Sequence, residues 1–318
     1  MTKNNEHKNL NVPDLRFPEF SGEWVETELQ DIVPNICSGK DRISNSGEVA
    51  LYGSTGVIGR TNSASYKENI VLVARVGANA GQMQIGNAPC GVTDNTLVID
   101  AKEWNYYIYY FLQHYNLNRL VFGSGQPLIT GGMLKRIKVR YGCKAERNNI
   151  TRLLCLIDER IATQNKIIED LKLLRDAISG LIFNSMKNEK TILLGNVACI
   201  SNGSGDVQDS DSIKRDGWYP FFDRSEEQKW FPTYSFNREA IIYAGEGQNF
   251  FPRYYKGKFA LHQRCYAITD FCECLLPKYC LYFMNTLNSY FIRNAVGSTV
   301  PSLRMDMFQK AKIKIPTI

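Results

Sequence analysis

Side chains that can read the edges of nucleic acid bases cluster in two glycine-rich segments in the first half of the chain. "ARVGANAGQ" follows the apolar run "NIVLV", and "LYGSTGVIGR" precedes it. Arginine can bond bidentately to guanine, as asparagine and glutamine can to adenine, and glycine lets the backbone approach a ligand closely. The alternative is a β-hairpin whose glycines only turn the chain. The residues predicted to contact nucleic acid here are Tyr52, Ser54, Thr55, Arg60, Arg75, Asn79 and Gln82.

In the second half, "RYYKGKFALHQR" (Arg253 to Arg264) interleaves cations with aromatic rings and contains no acidic residue. Bases can stack on such rings while the cations meet phosphates. A solvated strand edge that is guarded by lysines explains the same stretch equally well. The candidates for base contacts are Arg224, Gln248, Asn249, Arg253, Tyr254, Lys256 and Arg264. The candidates for phosphate contacts are Lys135, Lys229 and Lys258.

Motifs of catalysis are missing from the sequence. It contains no G-x4-G-K-[ST] phosphate loop, no G-x-G-x-x-G dinucleotide motif and no N-P-P-[YF] or D-P-P-[YF] tetrapeptide of amino-methyltransferases. Its three scattered histidines give little support for acid–base chemistry. Asp223, Glu227 and Lys229 in "FFDRSEEQK" faintly resemble the acidic-acidic-lysine set of many nucleases, but a solvated charged loop explains them better. The sequence therefore gives no support for catalytic activity or for a cofactor held by this chain.

Composition and charge limit the kinds of protein that the chain can be. Its 318 residues allow two domains of ordinary size, and the hydrophobic fraction of 44% is typical of a globular protein. The net charge of +6 permits nucleic acid binding without requiring it. We expect a cytoplasmic protein, because no apolar run is long enough to span a membrane and the N-terminus lacks the apolar core of a signal peptide.

The nine cysteines are an odd number and are scattered along a chain too large to need disulfides, so we expect reduced thiols. The alternative is a zinc site built from the cluster of His262, Cys265, Cys272, Cys274 and Cys280. Zinc sites usually show paired C-x2-C spacings, which this cluster lacks. Free cysteine is among the most often buried residue types. We therefore predict no metal site.

The two halves of the chain repeat one order of motifs. "ARVGAN" corresponds to "AGEGQN", each after a strand-like run, and an aromatic-rich helix-like segment follows in each half. Next come "GSGQPLI" (Gly123 to Ile129) and "GSTVPSL" (Gly297 to Leu303), and then the basic strands "LKRIKVRYG" and "FQKAKIKIP". Each half is predicted to contain strands, one helix, a glycine-marked helix end, a loop and a closing strand. The fold class is therefore α+β, with two similar domains.

The repeated motif, GSGQPLI in the first half and GSTVPSL in the second, is called the repeated phrase below and is predicted to have a structural role. Gly123 and Gly297 suit the left-handed position that ends a helix, and Pro127 and Pro301 stiffen the loop beyond it. Weaker candidates for nucleic acid contacts in the phrase are Ser124, Gln126 and Ser298.

Residues 147–188 are predicted to form one long helix, because they contain no proline and no glycine before Gly180. Apolar residues recur at alternating steps of four and three, the heptad pattern of a coiled-coil helix. Such a helix would be about 60 Å long and would have to pack its stripe against a partner. Core packing against the two globular halves is the alternative. The seam, in which Gln164 and Arg175 are the polar exceptions that could fix register, consists of Ile150, Leu154, Ile157, Ile161, Gln164, Ile168, Leu171, Arg175, Ile178 and Ile182.

Two motifs are similar to those of a known protein family. The opening "VPDLRFPEFSGEW" (Val12 to Trp24), followed by "LQDIV" and by Gly39 and Lys40, closely resembles the N-terminus of specificity subunits of type I restriction-modification systems. "LIDERIATQNKIIEDLKLLRDAI" (Leu156 to Ile178) resembles the central helix of that family. The resemblance covers almost the whole chain.

The resemblance implies a DNA-binding subunit without catalytic activity. In this family, two target recognition domains each read one half of a split, asymmetric site in double-stranded DNA, and long helices hold them apart. The helices dock modification (methyltransferase) subunits, which bring S-adenosylmethionine, and restriction subunits, which bring ATP- and Mg-dependent translocation and cleavage. The predicted parts are an N-terminal tail (residues 1–20), target recognition domain 1 (21–146), the spacer helix (147–188) and target recognition domain 2 (189–318).

The sequence departs from the family pattern at its end. Family members carry a second long helix after the second recognition domain, whereas "KIKIPTI" stops at Ile318. We therefore expect the seam to be covered by a second copy of the chain, by another specificity fragment or by a modification subunit. A truncated chain that acts as an assembly or regulatory module through helix pairing is the alternative function, and a stand-alone nuclease is a weaker one.

Overall fold

The computed structural model describes residues 12–121, 127–187 and 189–316. The chain forms two compact units, unit 1 (Met1–Gln164) and unit 2 (Asn165–Ile318). Each unit combines sheets with short helices, and a long helix joins them, so the predicted α+β class with two similar domains is confirmed. None of the helices in these ranges is long and apolar enough to cross a membrane.

Unit 1 is built mainly from short strands. They are β1 (Val25–Glu28), β2 (Ile36–Ser38), β3 (Val49–Gly53), β4 (Gly56–Thr61), β5 (Ile70–Ala74), β6 (Met83–Gly86), β7 (Cys90–Val92), β8 (Thr96–Ile99) and β9 (Lys138–Tyr141). The helices are α1 (Leu29–Ile32), α2 (Asn105–Tyr115) and α3 (Gly131–Lys135). The strands pair in the orders β2-β8-β5-β6, β4-β3-β7 and β1-β9.

The long helix α4 (Lys144–Ser185) leads into unit 2. The strands of unit 2 are β10 (Glu189–Leu193), β11 (Cys199–Asn202), β12 (Tyr219–Phe222), β13 (Lys229–Phe231), β14 (Phe236–Ala244), β15 (Arg253–Leu261), β16 (Cys265–Thr269) and β17 (Lys312–Pro316). The helices are α5 (Pro277–Asn285), α6 (Asn288–Asn294) and α7 (Met305–Gln309). The strands pair in the orders β11-β16-β14-β15-β12-β13 and β10-β17.

The two units share one strand order. β11-β16-β14-β15 matches β2-β8-β5-β6, and β13-β12-β15 matches β4-β3-β7. In both units the first strand of the hairpin, β3 or β12, pairs in parallel with β7 or β15. Unit 2 uses the nine-residue strand β15 where unit 1 has the two strands β6 and β7, with the cis peptide Ala88-Pro89 between them. The predicted duplication is therefore present in the topology.

In each unit, the proline of the repeated phrase accepts a backbone hydrogen bond from the loop that follows β5 or β14. In unit 1, the backbone N–H of Gly77 donates to the carbonyl oxygen of Pro127 at 3.0 Å. In unit 2, the N–H of Gly247 donates to the carbonyl oxygen of Pro301 at 3.1 Å. The two prolines thus occupy equivalent positions, beside equivalent loops.

The last residue of each phrase anchors it in the core. Ile129 (0% exposed) donates its N–H to the carbonyl of Arg75 at 2.9 Å, and Leu303 (4% exposed) donates to that of Gly245 at 2.7 Å. The structural role is therefore confirmed for this part of the phrase. Gly297 has a positive φ, +111°, but α6 ends at Asn294 with Ala295 as its C-cap, so the prediction that Gly297 ends the helix is wrong and its turn lies beyond the helix. The residues of the phrase that lie outside the described ranges are Gly123, Ser124, Gly125 and Gln126.

The helix α4 is continuous over 42 residues, but its limits differ from the predicted 147–188. It begins at Lys144, because the charged and alanine residues there favour a helix and Glu146 suits a first turn. Its first turns pack in unit 1 through Ile150. Its last turn packs in unit 2, where the rings of Phe183 and Phe283 have centroids 5.1 Å apart. Each end of the helix therefore belongs to the core of one unit.

Between these anchors the predicted seam is exposed. Its apolar members from Ile157 to Ile182 have exposed fractions of 45% to 59%. Core packing against the globular units is therefore wrong for this part of the helix. A second exposed apolar row lies beside the seam and consists of Leu153, Leu156, Ile167, Leu174 and Leu181.

Cysteine pairing differs from the prediction at one place. Cys272 and Cys274 form a disulfide, because the turn before α5 brings their Cα atoms to 5.3 Å. The expectation of reduced thiols is wrong for this pair, whereas Cys90, Cys265 and Cys280 are free and buried. Within the described ranges, no group of three or more His, Cys, Asp or Glu residues is arranged to hold a metal ion.

Candidate nucleic-acid interface

A cavity of about 560 Å³ opens among the loops of unit 2. Three loops form most of its wall: residues 223–229 between β12 and β13, residues 245–246 after β14, and residues 262–265 between β15 and β16. These loops bring together three of the predicted contact residues, Arg224, Lys229 and Arg264.

A buried carboxylate holds the loop between β12 and β13. One oxygen of Asp223 accepts the N–H of Ser225 (2.7 Å), and the other binds the ammonium of Lys229 (2.7 Å). The side chains of Asp223 and Lys229 are 5% and 18% exposed. Lys229 is therefore not a free cation for phosphate, which corrects its predicted role. Because both oxygens of Asp223 are engaged, the nuclease-like set with Glu227 does not present two free carboxylates.

Arg253 lies beneath the same loop. Its guanidinium donates to the backbone carbonyl of Asp223 and, at 2.8 Å, to that of Ser225. It also lies 5.4 Å from the ring centroid of Phe222. Burial lowers the pKa of this guanidinium below its usual value. The predicted base contact of Arg253 is therefore corrected, because its hydrogen bonds hold the loop in place.

The turn between β15 and β16 presents an amide that the sequence analysis missed. The N–H of Gln263 donates to the carbonyl of Gly205 (3.1 Å), while its side chain is exposed at the cavity. The ring Nδ1 of His262 accepts the N–H of Arg264 (3.2 Å). The guanidinium of Arg264 is exposed and binds Glu246 (2.5 Å). The repeat could have revealed Gln263, because its turn corresponds to an exposed turn of unit 1.

Four other predicted residues of unit 2 do not line the cavity. Gln248 and Asn249 are exposed in the loop that follows β14. The hydroxyl of Tyr254 donates to one carboxylate oxygen of Glu239. The ammonium of Lys256 is 3.8 Å from the other oxygen. The hydroxyl of Tyr254 and the ammonium of Lys256 therefore already have a partner on β14.

Lys258 also lies on β15, with its ammonium 4.7 Å from the ring centroid of Tyr234. Strand β15 pairs with β14 on one side and with β12 on the other. The pairing with β12 covers only Ala260 and Leu261, so the alternative of a strand edge is wrong for these two residues and stays open for residues 253–259.

Unit 1 brings its three matching loops together as well. In the turn between β3 and β4, Ser54 donates its hydroxyl to the carbonyl of Asn95 (3.0 Å), and Thr55 beside it is exposed. In the loop after β5, Arg75 donates to the hydroxyl of Ser38 (3.2 Å). The matching loops are residues 53–56, 75–82 and 93–95.

Asn79 and Gln82 close a tight turn in the second of these loops. The N–H of Gln82 donates to the carbonyl of Asn79 (2.9 Å). Gly77 and Gly81 have φ angles of +82° and +90°, which other residues rarely adopt. These glycines do turn the chain, as the alternative interpretation has it, and they leave the amide of Gln82 exposed.

Three predicted residues of unit 1 lie outside these loops. Tyr52 is 8% exposed, and its hydroxyl accepts the N–H of Asn87 (3.2 Å), so its predicted contact is corrected to a place in the core. Arg60 is exposed on β4 and donates to the carbonyl of Glu48 (2.8 Å). Lys135 is the half-buried last residue of α3.

Comparison with known proteins agrees with the duplicated fold. The sequence model of the type I restriction modification DNA specificity domain matches the chain twice, at residues 21–173 and 186–318. The type I restriction enzyme EcoDI specificity subunit from Escherichia coli is 32% identical over 129 residues, which are 40% of this chain and only 28% of that relative. The crystal structure of a type I restriction-modification system S subunit from M. genitalium shares the fold, with a TM-score of 0.62 and 15% identity over 92% of this chain and 85% of that one. Because the family model covers most of its length, the chain belongs to the type I restriction-modification DNA specificity domain family.

Proposed function

We propose that the chain is the sequence-specific DNA-binding subunit of a type I restriction-modification complex. Each unit reads one half of a bipartite site in double-stranded DNA. The observation that carries the proposal is the matching set of three loops that both units build on the same strand order. The relative from Escherichia coli, which is a specificity subunit, supports the same function.

Different side chains on the matching loops support an asymmetric site. The turn between β3 and β4 presents the neutral Ser54 and Thr55, whereas the loop between β12 and β13 presents the cationic Arg224. The turn of residues 93–95 contains Asp94, and the matching turn of unit 2 contains Gln263. Because each base pair shows its own pattern of donors and acceptors in the major groove, different side chains select different half-sites.

The exposed stripe of α4 supports a second role, the docking of partner subunits. Two adjacent apolar rows from Leu153 to Ile182 are open to solvent, and an amphipathic helix normally buries such a stripe. In this proposal modification subunits, which carry S-adenosylmethionine, cover the stripe. Restriction subunits, which use ATP and Mg, join the same complex. Pairing of α4 with another specificity chain is the competing use of the surface, and it gives an assembly module.

Substitutions on opposite faces of α4 test the docking. The double variant Ile161→Glu and Ile168→Glu places two charges in the apolar stripe and is expected to abolish co-purification with modification subunits. Ala162→Glu, on the exposed polar face of the same turns, is the matched control and should leave co-purification intact. Retained binding by the double variant, or a chain that pairs only with itself when modification subunits are present, contradicts this role.

The methylated sites of a genome test the DNA-binding function. In cells that express the chain with modification subunits, we expect methylation at one bipartite, non-palindromic motif with an unread spacer. An assembled complex that methylates no defined motif, or only a continuous or palindromic one, contradicts the proposal. Metal-dependent DNA cleavage by the pure chain that is lost in Asp223→Asn would instead indicate a nuclease.

A further inference from the structure

Among the described residues, some polar side chains at or next to the cavity of unit 2 are hydrogen-bonded or ion-paired, and others have no such partner. The polar heads of Asp223, Lys229 and Arg253 bind one another or the backbone. By contrast, the guanidinium of Arg224 and the amide of Gln263 have no hydrogen-bond or ion-pair partner within the described ranges. Both side chains are exposed at the cavity wall. Each of these two side chains can therefore bond to a ligand without first breaking a contact.

The backbone that carries Arg224 is fixed on both sides. Arg253 holds the carbonyls of the residues before and after it, Asp223 and Ser225. The carboxylate of Asp223 also accepts the N–H of Ser225 at 2.7 Å. A side chain on a backbone held in this way keeps its position when a ligand binds, so less conformational entropy is lost on binding.

The backbone that carries Gln263 is also held at both of its polar groups. Its N–H donates to the carbonyl of Gly205 (3.1 Å), and its carbonyl accepts the side-chain amide of Asn202 (3.4 Å). Arg264, the next residue, differs because its guanidinium is bound to Glu246. Contact between Arg264 and a base therefore requires that this ion pair separate.

We propose that unit 2 reads its half-site through two side chains, Arg224 on a guanine and Gln263 on an adenine, and that Arg253 positions Arg224. The inference rests on the DNA-binding function proposed above. A guanidinium can donate to O6 and N7 of guanine, and a carboxamide can bond to N6 and N7 of adenine. Arg253 contacts the loop and not the DNA, so its effect on recognition passes through Arg224.

The ratio of affinities of the assembled complex for different DNA duplexes tests the roles of Arg224 and Gln263. Arg224→Ala is expected to lower the preference for one guanine by roughly 5- to 150-fold, and Gln263→Ala to do so for one adenine of the same half-site. The preference at the other half-site should not change. Arg293→Ala on α6 and Gln309→Ala on α7 are matched controls, exposed and outside the cavity wall, and should leave all preferences unchanged.

A base analogue distinguishes a base contact from a phosphate contact. Replacing the guanine by 7-deazaguanine removes one of the two acceptors, so it should weaken binding several-fold in the unsubstituted complex and not in Arg224→Ala. The same cycle with 7-deazaadenine tests Gln263. If the analogue weakens both complexes equally while Arg224→Ala lowers the salt slope of binding by about one charge, Arg224 contacts a phosphate and the assignment is overturned.

The conservative variant Arg253→Lys tests the positioning role. Lysine keeps the cation but cannot form the two hydrogen bonds of the planar guanidinium. The variant should lose the preference for the same guanine as Arg224→Ala, should keep the preference for the adenine, and should add nothing in the double variant. Equal weakening of all sequences, or additive effects in the double variant, overturns this role.

The outcomes separate this inference from the function on which it rests. An assembled complex that shows no sequence preference at all overturns the proposed function. A complex that reads a bipartite site but keeps its guanine and adenine preferences in Arg224→Ala and Gln263→Ala overturns only the inference.

Discussion

Unit 1 and unit 2 share one strand order and equivalent backbone hydrogen bonds, which together are called the frame below. They differ in the side chains on the loops that connect these strands. In both, an N–H of the loop after β5 or β14 donates to a proline carbonyl, at 3.0 Å in unit 1 and 3.1 Å in unit 2. The matching hairpin loops present Ser54 and Thr55 in one unit, and Arg224 above the half-buried Arg253 in the other. Backbone hydrogen bonds define the frame, so the side chains on its loops can differ without changing the fold.

One strand shows how the frame adapts to different side chains. In unit 1, the hydroxyl of Tyr52 accepts the N–H of Asn87, where β6 has ended and β7 has not begun. At the matching register position of unit 2, Phe222 has no hydroxyl, and its ring lies 5.2 Å from that of Tyr255 on the unbroken β15. The same strand order thus tolerates either a broken or a continuous strand.

Truncation of the two core anchors tests whether the frame is shared. Ile129→Ala and Leu303→Ala each leave a cavity in a close-packed core, so each should destabilise its own unit by about 2 to 5 kcal/mol. Hydrogen exchange followed peptide by peptide measures the two units separately. Val300→Ala, at a residue 45% exposed, is the control and should cost less than about 0.5 kcal/mol. An anchor variant that leaves the protection of its own unit unchanged would show that the phrases are not equivalent.

Polar substitutions in the hairpin loops test whether the charged loop of unit 2 is held more rigidly than the neutral loop of unit 1. Asp223→Asn leaves the ammonium of Lys229 mostly buried beside a neutral group, and we expect a cost of about 2 kcal/mol in unit 2. Ser54→Ala removes one exposed neutral hydrogen bond in unit 1 and should cost at most about 1 kcal/mol. Hydrogen exchange in the two loops measures both effects. Equal losses of protection would mean that the charged loop is no more rigidly held than the neutral one.

Acid is expected to weaken unit 1 at the start of α4. The guanidinium of Arg16 holds the pKa of Glu146, whose side chain is 1% exposed, below its usual value. A lowered pKa adds stability above the usual pKa, and this stability is lost as the pH falls through the lowered value. In the described part of unit 2, the carboxyls with lowered pKa, Asp211 and Asp306, are at the surface, where ion pairs contribute little.

Hydrogen exchange corrected for intrinsic rates, at neutral pH and at about pH 4, measures this difference. Unit 1 should lose protection near the start of α4 first, and Glu146→Gln should remove that pH dependence. Protection at the start of α4 that does not fall with pH, or a fall that persists in Glu146→Gln, would contradict the assignment of the Glu146–Arg16 ion pair as an acid-sensitive contact.

The frame could be predicted from the sequence because it depends on local patterns and on their repetition. The heptad pattern predicts α4, and the apolar run Ile70–Ala74 predicts β5, a strand whose residues are all buried. The alignment of Pro127 with Pro301 predicts equivalent loops, and backbone hydrogen bonds at those loops confirm it.

The roles of individual side chains at the site depend on which strands are neighbours, and no local pattern contains that information. Arg224 and Arg253 are the same residue type, but only Arg253, at the start of β15, donates to the loop carbonyls of Asp223 and Ser225. Lys229 is a cation like any other until the fold brings Asp223 within 2.7 Å of it. Gln263 lies in a turn that is held by Gly205, which is distant in the sequence, so only the alignment of the two halves could have indicated it.

Transplanting the loop residues of unit 1 into unit 2 most directly tests the central claim that each unit reads its own half-site. The double variant Arg224→Ser and Gln263→Asp places in unit 2 the residue types found at the matching positions Ser54 and Asp94. The measurement is the set of methylated sites in cells that express this variant with modification subunits. We expect one half of the bipartite motif to change while the other half and the spacer length stay the same. A change in both halves, or in neither, would contradict it.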